Sequence, residues 1–237
     1  GYYTRIYDQS KVISYYDDVA ATFTNFAMSG IDKVHFGLEA AVSIPIYHTL
    51  ALNGAVSWGQ YTYDSNPYYL QTQDNSGDIV SDGYVYWKDF RVESTPQTAV
   101  NVGLSWRSNN NIYLSADFNY YNNMYLSMSP IYRTDAVITG GMAPGDIEHL
   151  RRQEKFDSAY TLNASIGKNW YIHRKYTLGF SLDVKNILNN QDIKTGGYEQ
   201  TRLSKNTETT VTTYQAFDSK YFYMFGTTYY LNLYFRF

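Results

Sequence analysis

Aromatic rings and guanidinium groups concentrate in three stretches of this sequence. Residues 64–97 hold Tyr68, Tyr69, Tyr84, Tyr86 and Trp87; residues 129–157 hold Tyr132, Arg133, Arg151 and Arg152; residues 190–225 hold Tyr198 and Arg202. Such rings stack on apolar ligand faces, sugar rings included, and an arginine fork clamps a carboxylate through two parallel hydrogen bonds. The candidate ligand contacts are therefore Tyr68, Tyr69, Tyr84, Trp87, Tyr132, Arg133, Arg151, Tyr198 and Arg202. The competing reading is that they are solvated, pack on one another, or touch a lid protein. Taken singly, each fits that plainer reading. Taken together they point to a ligand or a partner, because loops on a rigid scaffold carry binding function disproportionately.

Catalysis and metal binding find weaker support. Asp183 and Lys185 sit two apart on one strand face and read as a neutral ion pair rather than a catalytic one, so no enzyme is expected. His35, His48, His149 and His173 are scattered, with no i,i+2 or i,i+4 pair to seed a metal site. Asp74–Asp82 has oxygen ligands at loose intervals but neither the EF-hand register nor its closing glutamate; it reads as a polar loop. Gly196–Gly197 lacks the lysine and the strand-to-helix context of a phosphate loop. The chain has 0 cysteines, which removes disulfides, thiolate zinc sites and cysteine nucleophiles. No metal and no cofactor are expected.

Composition narrows the scaffold. Among 237 residues, 27 are tyrosine and 18% are aromatic, which favours β structure. The 19 Lys+Arg are outweighed by 22 Asp+Glu, so a nucleic-acid partner is not expected. Mean hydropathy is −0.44, and no run approaches the roughly 18 apolar residues of a membrane-spanning helix. One membrane class survives that test, because β-barrels cross with alternating hydrophobicity.

The alternation is clean. Val34, Phe36, Leu38, Ala40, Val42 and Ile44 oppose His35, Gly37, Glu39, Ala41 and Ser43. Val100, Val102, Leu104 and Trp106 oppose Asn101, Gly103, Ser105 and Arg107. Residues 49–58, 111–120, 160–167 and 176–185 repeat the pattern, and Tyr229, Leu231, Leu233, Phe235 and Phe237 end the chain in it. Each such stretch predicts a strand with one apolar and one polar face. Trp58, Trp106, Tyr120, Tyr160, Trp170 and Tyr176 lie near strand ends, where amphipathic rings favour a membrane–water boundary. The polar series, with Glu39, Asn53, Asn101, Asp117, Asn119, Asp183, Lys185 and Arg236, would face a polar interior.

Connections alternate between short (45–48, 108–110, 173–175) and long (64–97, 129–157, 190–225). Long loops are uncommon in compact water-soluble domains, whereas transmembrane barrels pair short periplasmic turns with long extracellular loops. The fold class expected is all-β, an antiparallel up-and-down transmembrane β-barrel. Placing short turns at the periplasm gives downward strands near 1–7, 33–44, 98–107, 158–170 and 226–237, with upward strands near 18–29, 49–63, 112–128 and 176–189. That is about nine, and bacterial barrels close with even numbers. The odd count, with Tyr2–Tyr7 already strand-like at the start, predicts the C-terminal part of a larger barrel.

The tail Ser219–Phe237, SKYFYMFGTTYYLNLYFRF, resembles the final strand of TonB-dependent outer-membrane receptors of the Bacteroidetes SusC/RagA-like type. Thr95–Thr98 (TPQT), Asn101–Ser108 (NVGLSWRS), Ser165–Trp170 (SIGKNW), Val184–Asn190 (VKNILNN) and Thr195–Arg202 (TGGYEQTR) resemble barrel segments of the same receptors, in order. The resemblance covers Thr95 to the end; residues 1–94 fit the architecture with weaker signatures. It implies a barrel of about 22 strands with an N-terminal plug and a TonB box, which this chain does not show. It further implies import of a glycan, peptide or other scarce solute across the bacterial outer membrane. Implied partners are outer-membrane lipid, the plug and remaining strands, the TonB complex and a SusD-like surface lipoprotein. The terminal series Tyr229, Leu231, Leu233, Phe235 and Phe237 resembles the signal read by the barrel-assembly machinery. Two rival readings are a small self-contained outer-membrane barrel (an adhesin or lipid-acting enzyme) and a soluble carbohydrate-binding β-sandwich.

Overall fold

The computed structural model describes residues 1–18, 20–93, 95–140, 144–173, 175–206 and 213–237. In chain order the strands are β1 (Tyr2–Asp17), β2 (Thr22–Tyr47), β3 (Leu50–Tyr63), β4 (Tyr68–Gln73), β5 (Ile79–Tyr84), β6 (Thr98–Arg107) and β7 (Ile112–Asn122). A 3-10 turn, Ile131–Arg133, and two helices, α1 (Asp135–Ile138) and α2 (Pro144–Arg151), follow. Then come β8 (Ala159–Ile172), β9 (Tyr176–Lys185), β10 (Lys194–Tyr198), β11 (Leu203–Asn206), β12 (Thr213–Ala216), β13 (Lys220–Tyr223) and β14 (Thr228–Arg236).

The fold is all-β around one 10-stranded antiparallel sheet, ordered β14-β9-β8-β7-β6-β3-β2-β4-β5, with β1 on the other edge of β2. The long strands meander, each paired with the next long strand in sequence, with the β4–β5 detour between β3 and β6 and strands β10 to β13 between β9 and β14. Register keeps like with like. Ile44 pairs Leu52, Leu52 pairs Leu104, Leu104 pairs Ala116 and Ala116 pairs Ala164. Ala164 then pairs Val184, and Val184 pairs Tyr229, so one apolar row crosses the sheet from β2 to β14. A one-residue slip in any strand would break this row.

The first two strands differ from expectation. Residues 18–29 and 33–44, expected as separate strands, are one continuous β2, and the expected strand 1–7 extends to Asp17 and runs antiparallel to it. Ser29-Gly30-Ile31-Asp32 has the composition of a turn, but it forms a bulge. Gly30 takes φ 73° and Asp8 on the facing strand φ 52°. The pairing register shifts between Ile6 and Lys11, and the Asp8 N–H donates to Asp32 Oδ1 at 2.9 Å. A bulge lets a strand bend and twist without ending. The reversal falls instead between β1 and β2, beside Ala21 at φ 51°. Among the described residues the long strands are therefore β1, β2, β3, β6, β7, β8, β9 and β14, eight where nine were expected, and the odd-number argument no longer applies.

The loops are more structured than expected. Segment 64–97 contains the β4–β5 hairpin, which continues β3 along the upper half of β2; segment 190–225 contains the pairs β10–β13 and β11–β12. The hydrophobic core gathers these segments. It contains Phe26 and Met28 of β2, Tyr63 of β3, Tyr69 of β4, and Val85, Trp87, Ile131, Tyr132, Leu150 and Leu203 from the connections. Phe26 stacks on Tyr69 with centroids 4.6 Å apart, and Tyr63 lies 4.7 Å from Trp87. Tyr63 continues the series Asn53, Ser57, Tyr61 along β3. The core therefore lies on the polar face of the sheet, at the end where the long connections emerge. Among the described residues, no helix is long and apolar enough to cross a membrane.

Candidate functional site

Two features stand out: a sheet with an uncovered apolar face, and a cavity in the loop core on the opposite side.

On the apolar face, Leu38 is 63% exposed, Leu231 60% and Leu233 70%, and Val102, Leu104, Leu114, Ile166 and Leu178 are exposed too. Burying a Leu or Val side chain is worth about 1.5–3 kcal/mol, so a row of them left open demands a covering medium. The polar face is laterally satisfied. Ser43 Oγ donates to Asn53 Oδ1 at 2.7 Å, and Asn53 Nδ2 to Ser105 Oγ at 3.3 Å. Asn101 Nδ2 donates to Asn119 Oδ1 at 2.9 Å and Asn119 Nδ2 to Thr161 Oγ1 at 3.4 Å; Ser115 and Ser165 hydroxyls pair at 2.8 Å. Glycines on this face make room for tyrosine rings, with Tyr113 lying over Gly167 and Tyr234 over Gly179. At the sheet edge, Tyr229, Leu231, Leu233, Phe235 and Phe237 are all exposed.

The loop core is clasped by one ion pair. Arg133 is 0% exposed; its Nη1 donates to Glu199 Oε2 at 2.5 Å and its Nη2 to Glu199 Oε1 at 2.9 Å. Nη1 also donates to the Ser129 carbonyl at 3.0 Å, and the Ser129 N–H donates to Glu199 Oε2 at 2.8 Å. A guanidinium stripped of all its water requires such bidentate pairing, and Glu199, 11% exposed, supplies it. The Tyr132 hydroxyl donates to the Arg202 carbonyl at 2.9 Å; burial, then the nearby Glu199 charge, pushes its pKa up to about 12. Arg202 in turn donates from Nε to Asp18 Oδ2 at 2.9 Å and from Nη2 to Asp18 Oδ1 at 3.1 Å. Segment 190–225 is thereby tied to the β1–β2 turn, across the sheet.

The nine candidate contacts separate accordingly. Tyr69, Trp87 and Arg133 are buried in the loop core, where they meet protein, and Tyr132 is buried there too but lines a cavity. Tyr68 and Tyr84 are exposed on the opposite face of the β4–β5 hairpin, edge to face at 5.6 Å, with the Tyr68 hydroxyl on Asp82. Arg151 stands 5.7 Å over the Tyr86 ring beside them. Tyr198 lies against Phe222 at 6.0 Å, and Arg202 is 4.4 Å over the Phe217 ring. The structure thus assembles no single aromatic platform from the nine.

It assembles a cavity instead, of about 510 Å³, between segments 126–155 and 199–221. Leu126, Leu150 and Tyr132 give it an apolar floor; Phe217 and Tyr221 add rings; Arg152, Glu154, Lys155 and Asp218 add charge. The Lys194 ammonium donates to Glu154 Oε1 at 2.9 Å and sits 3.8 Å over the Tyr221 ring, whose hydroxyl donates to Glu154 Oε2 at 2.7 Å. Arg152 was among the loop arginines noted in the sequence. Glu154, Glu199, Lys194, Phe217 and Tyr221 were missed, and separations such as the 66 residues between Arg133 and Glu199 leave no local signal. Among the described residues no three or more His, Asp or Glu side chains converge to hold a metal; the His149 side chain lies outside the described residues. No family model matches the chain, and no curated protein or solved structure matches it either.

Proposed function

We propose that this chain is barrel wall and extracellular loops of a TonB-dependent outer-membrane receptor of the SusC/RagA-like type, acting in import of a glycan, peptide or other scarce solute. One observation carries the membrane part of the reading. The sheet leaves its apolar face open from β2 to β14, while the core that the described residues of the long connections form lies on the polar face at one end. Lipid is the medium that such a face suits, and a polar interior with ordered extracellular loops is the arrangement of outer-membrane barrels. The described residues supply no second sheet against the apolar face, which weighs against a sandwich. The receptor part rests on the ordered motifs from Thr95 to Phe237. In this reading the wall binds no cofactor and performs no covalent chemistry. It encloses the path, and the clasped loops present a solute-sized cavity above it.

A second reading is favoured by the strand count. Eight long antiparallel strands leave β1 and β14 running in opposite directions, which is what closure of a small self-contained barrel needs. An intact mass and peptide map of the native protein from outer membranes separates the two. Plug peptides and further strands, with solute uptake abolished by a protonophore, support the receptor. A native chain of these residues alone, migrating differently after heating, supports the small barrel. In either case deletion of Phe237 should lower the amount assembled in the outer membrane, and unchanged assembly would overturn its role as a signal.

A further inference from the structure

We propose that the cavity between segments 126–155 and 199–221 binds a solute carrying a carboxylate, of about dipeptide or disaccharide size. This rests on the reading that these loops gather a solute. The volume, about 510 Å³, falls within the usual range for small-molecule sites. The charge balance sets the chemistry. Two of the cavity's carboxylates are already neutralised: Glu199 by the Arg133 fork, and Glu154 by Lys194. Asp218, Arg152 and Lys155 form no ion pair among the described residues, so the uncommitted charge is two cations against one anion. A cavity with that surplus attracts a carboxylate, and Phe217, Tyr221 and the Leu126–Leu150 floor accept the hydrocarbon or pyranose face of the same molecule.

The cations are also presented by a fixed backbone. The Arg152 N–H donates to the Glu148 carbonyl at 3.0 Å, and the Arg152 carbonyl accepts from buried Arg133 at 3.4 Å. Gln153 is held on both sides of its amide by the Arg91 backbone, at 2.9 and 2.8 Å, and the Leu126 N–H donates to the Glu154 carbonyl at 3.0 Å. Residues 152–155 thus form a strap whose course is set by contacts from three other segments. Such preorganisation lowers the entropy lost on binding.

The test is calorimetry on the intact native protein in detergent, with two acids, N-acetyl-diglutamate and digalacturonate, and two counterparts that carry no carboxylate, N-acetyl-diglutamine amide and digalactose. At least one acid should bind, about tenfold or more tightly than its neutral counterpart, as expected for one charge-assisted hydrogen bond. Preference for the peptide or the sugar acid identifies the source of the carboxylate. R152Q/K155Q should lose about tenfold or more for the acid, whereas K88Q, at an exposed lysine outside the cavity, should not. Both altered side chains are exposed, so an unchanged melting temperature checks that the variant folds. Equal affinity for acid and neutral forms, binding of neither acid, or an acid affinity untouched in R152Q/K155Q would overturn the proposal. Binding in detergent needs no energised membrane, so a failed uptake assay alongside charge-dependent binding would count against import and leave this site standing.

Discussion

The sheet and the loop core use the same residue types under opposite packing rules. In the sheet, hydroxyls and amides satisfy one another between neighbouring strands, as in Asn101–Asn119–Thr161, while Leu38 and Leu233 on the reverse face are largely exposed. In the loop core the apolar groups are interior, Trp87 at 1% exposure, and the buried charge of Arg133 is matched from 66 residues away. The loop core is organised like a small water-facing domain, with its inside apolar. The sheet has no inside of its own. Its polar side is satisfied laterally, and its apolar side lies open over the described residues.

The sharpest way to break this contrast is at the clasp. Glu199→Gln leaves the Arg133 guanidinium buried without its counter-charge, and should destabilise the loop core by about 3–5 kcal/mol. Hydrogen exchange should then accelerate across residues 126–155 and 194–203 while the sheet stays protected. Acceleration in both regions alike would show that the two are a single cooperative unit. Next in size is a pair of substitutions across the sheet. Leu104→Arg on the apolar face should reduce folding in lipid vesicles, at a cost of about 2–4 kcal/mol for a charge in the lipid-facing band. Ser115→Arg, on the polar face, should be tolerated. Equal effects would remove the distinction between faces. A smaller effect is expected at Gly167, where an added Cβ would meet the Tyr113 ring and lie 2.7 Å from the Phe180 carbonyl. Gly167→Ala should cost about 1–3 kcal/mol by overpacking, visible as a lower denaturation midpoint.

What could be read in advance follows the same division. Strands 98–107 and 176–185 were legible because a two-residue period is a local property, written by Val100, Val102, Leu104 and Trp106 or by Tyr176, Leu178, Phe180 and Leu182. The bulge was not. Ser29-Gly30-Ile31-Asp32 is composed like a turn, and groups distant in sequence carry the strand through it: the Asp8 N–H on Asp32 and Ser65 Oγ between the Asp32 N–H and the Gly30 carbonyl. Tyr69, Trp87 and Arg133 looked like loop residues available to a ligand for a related reason. Their burial depends on segments 64–97, 129–157 and 190–225 meeting one another, and nothing periodic announces that. Tyr68 and Tyr69, adjacent in sequence, went to opposite faces of one short strand, one exposed and one buried.

The mildest probe concerns how the two regions are joined. The Arg202–Asp18 pair ties segment 190–225 to the β1–β2 turn, and the hydrogen bond from Arg202 holds the Asp18 carboxyl below the usual carboxylate range. A carboxyl whose pKa is lower in the folded state contributes its stabilisation in full above its unfolded pKa of about 3.9. That contribution is lost as pH falls through the lowered folded value. The tie should therefore hold unchanged from neutral pH down to about pH 4 and loosen below it. Proteolysis by an acid-active protease, or exchange at the Arg202 and Leu203 amides, reports the loosening. Both side chains are partly exposed, so the effect is small and should shrink further in about 1 M salt, where screening reaches within a few ångströms. Asp18→Asn should abolish the acid dependence while leaving the Arg133–Glu199 clasp in place. If the variant keeps the dependence, a group other than Asp18 is responsible, and the Arg202–Asp18 tie is not what loosens in acid.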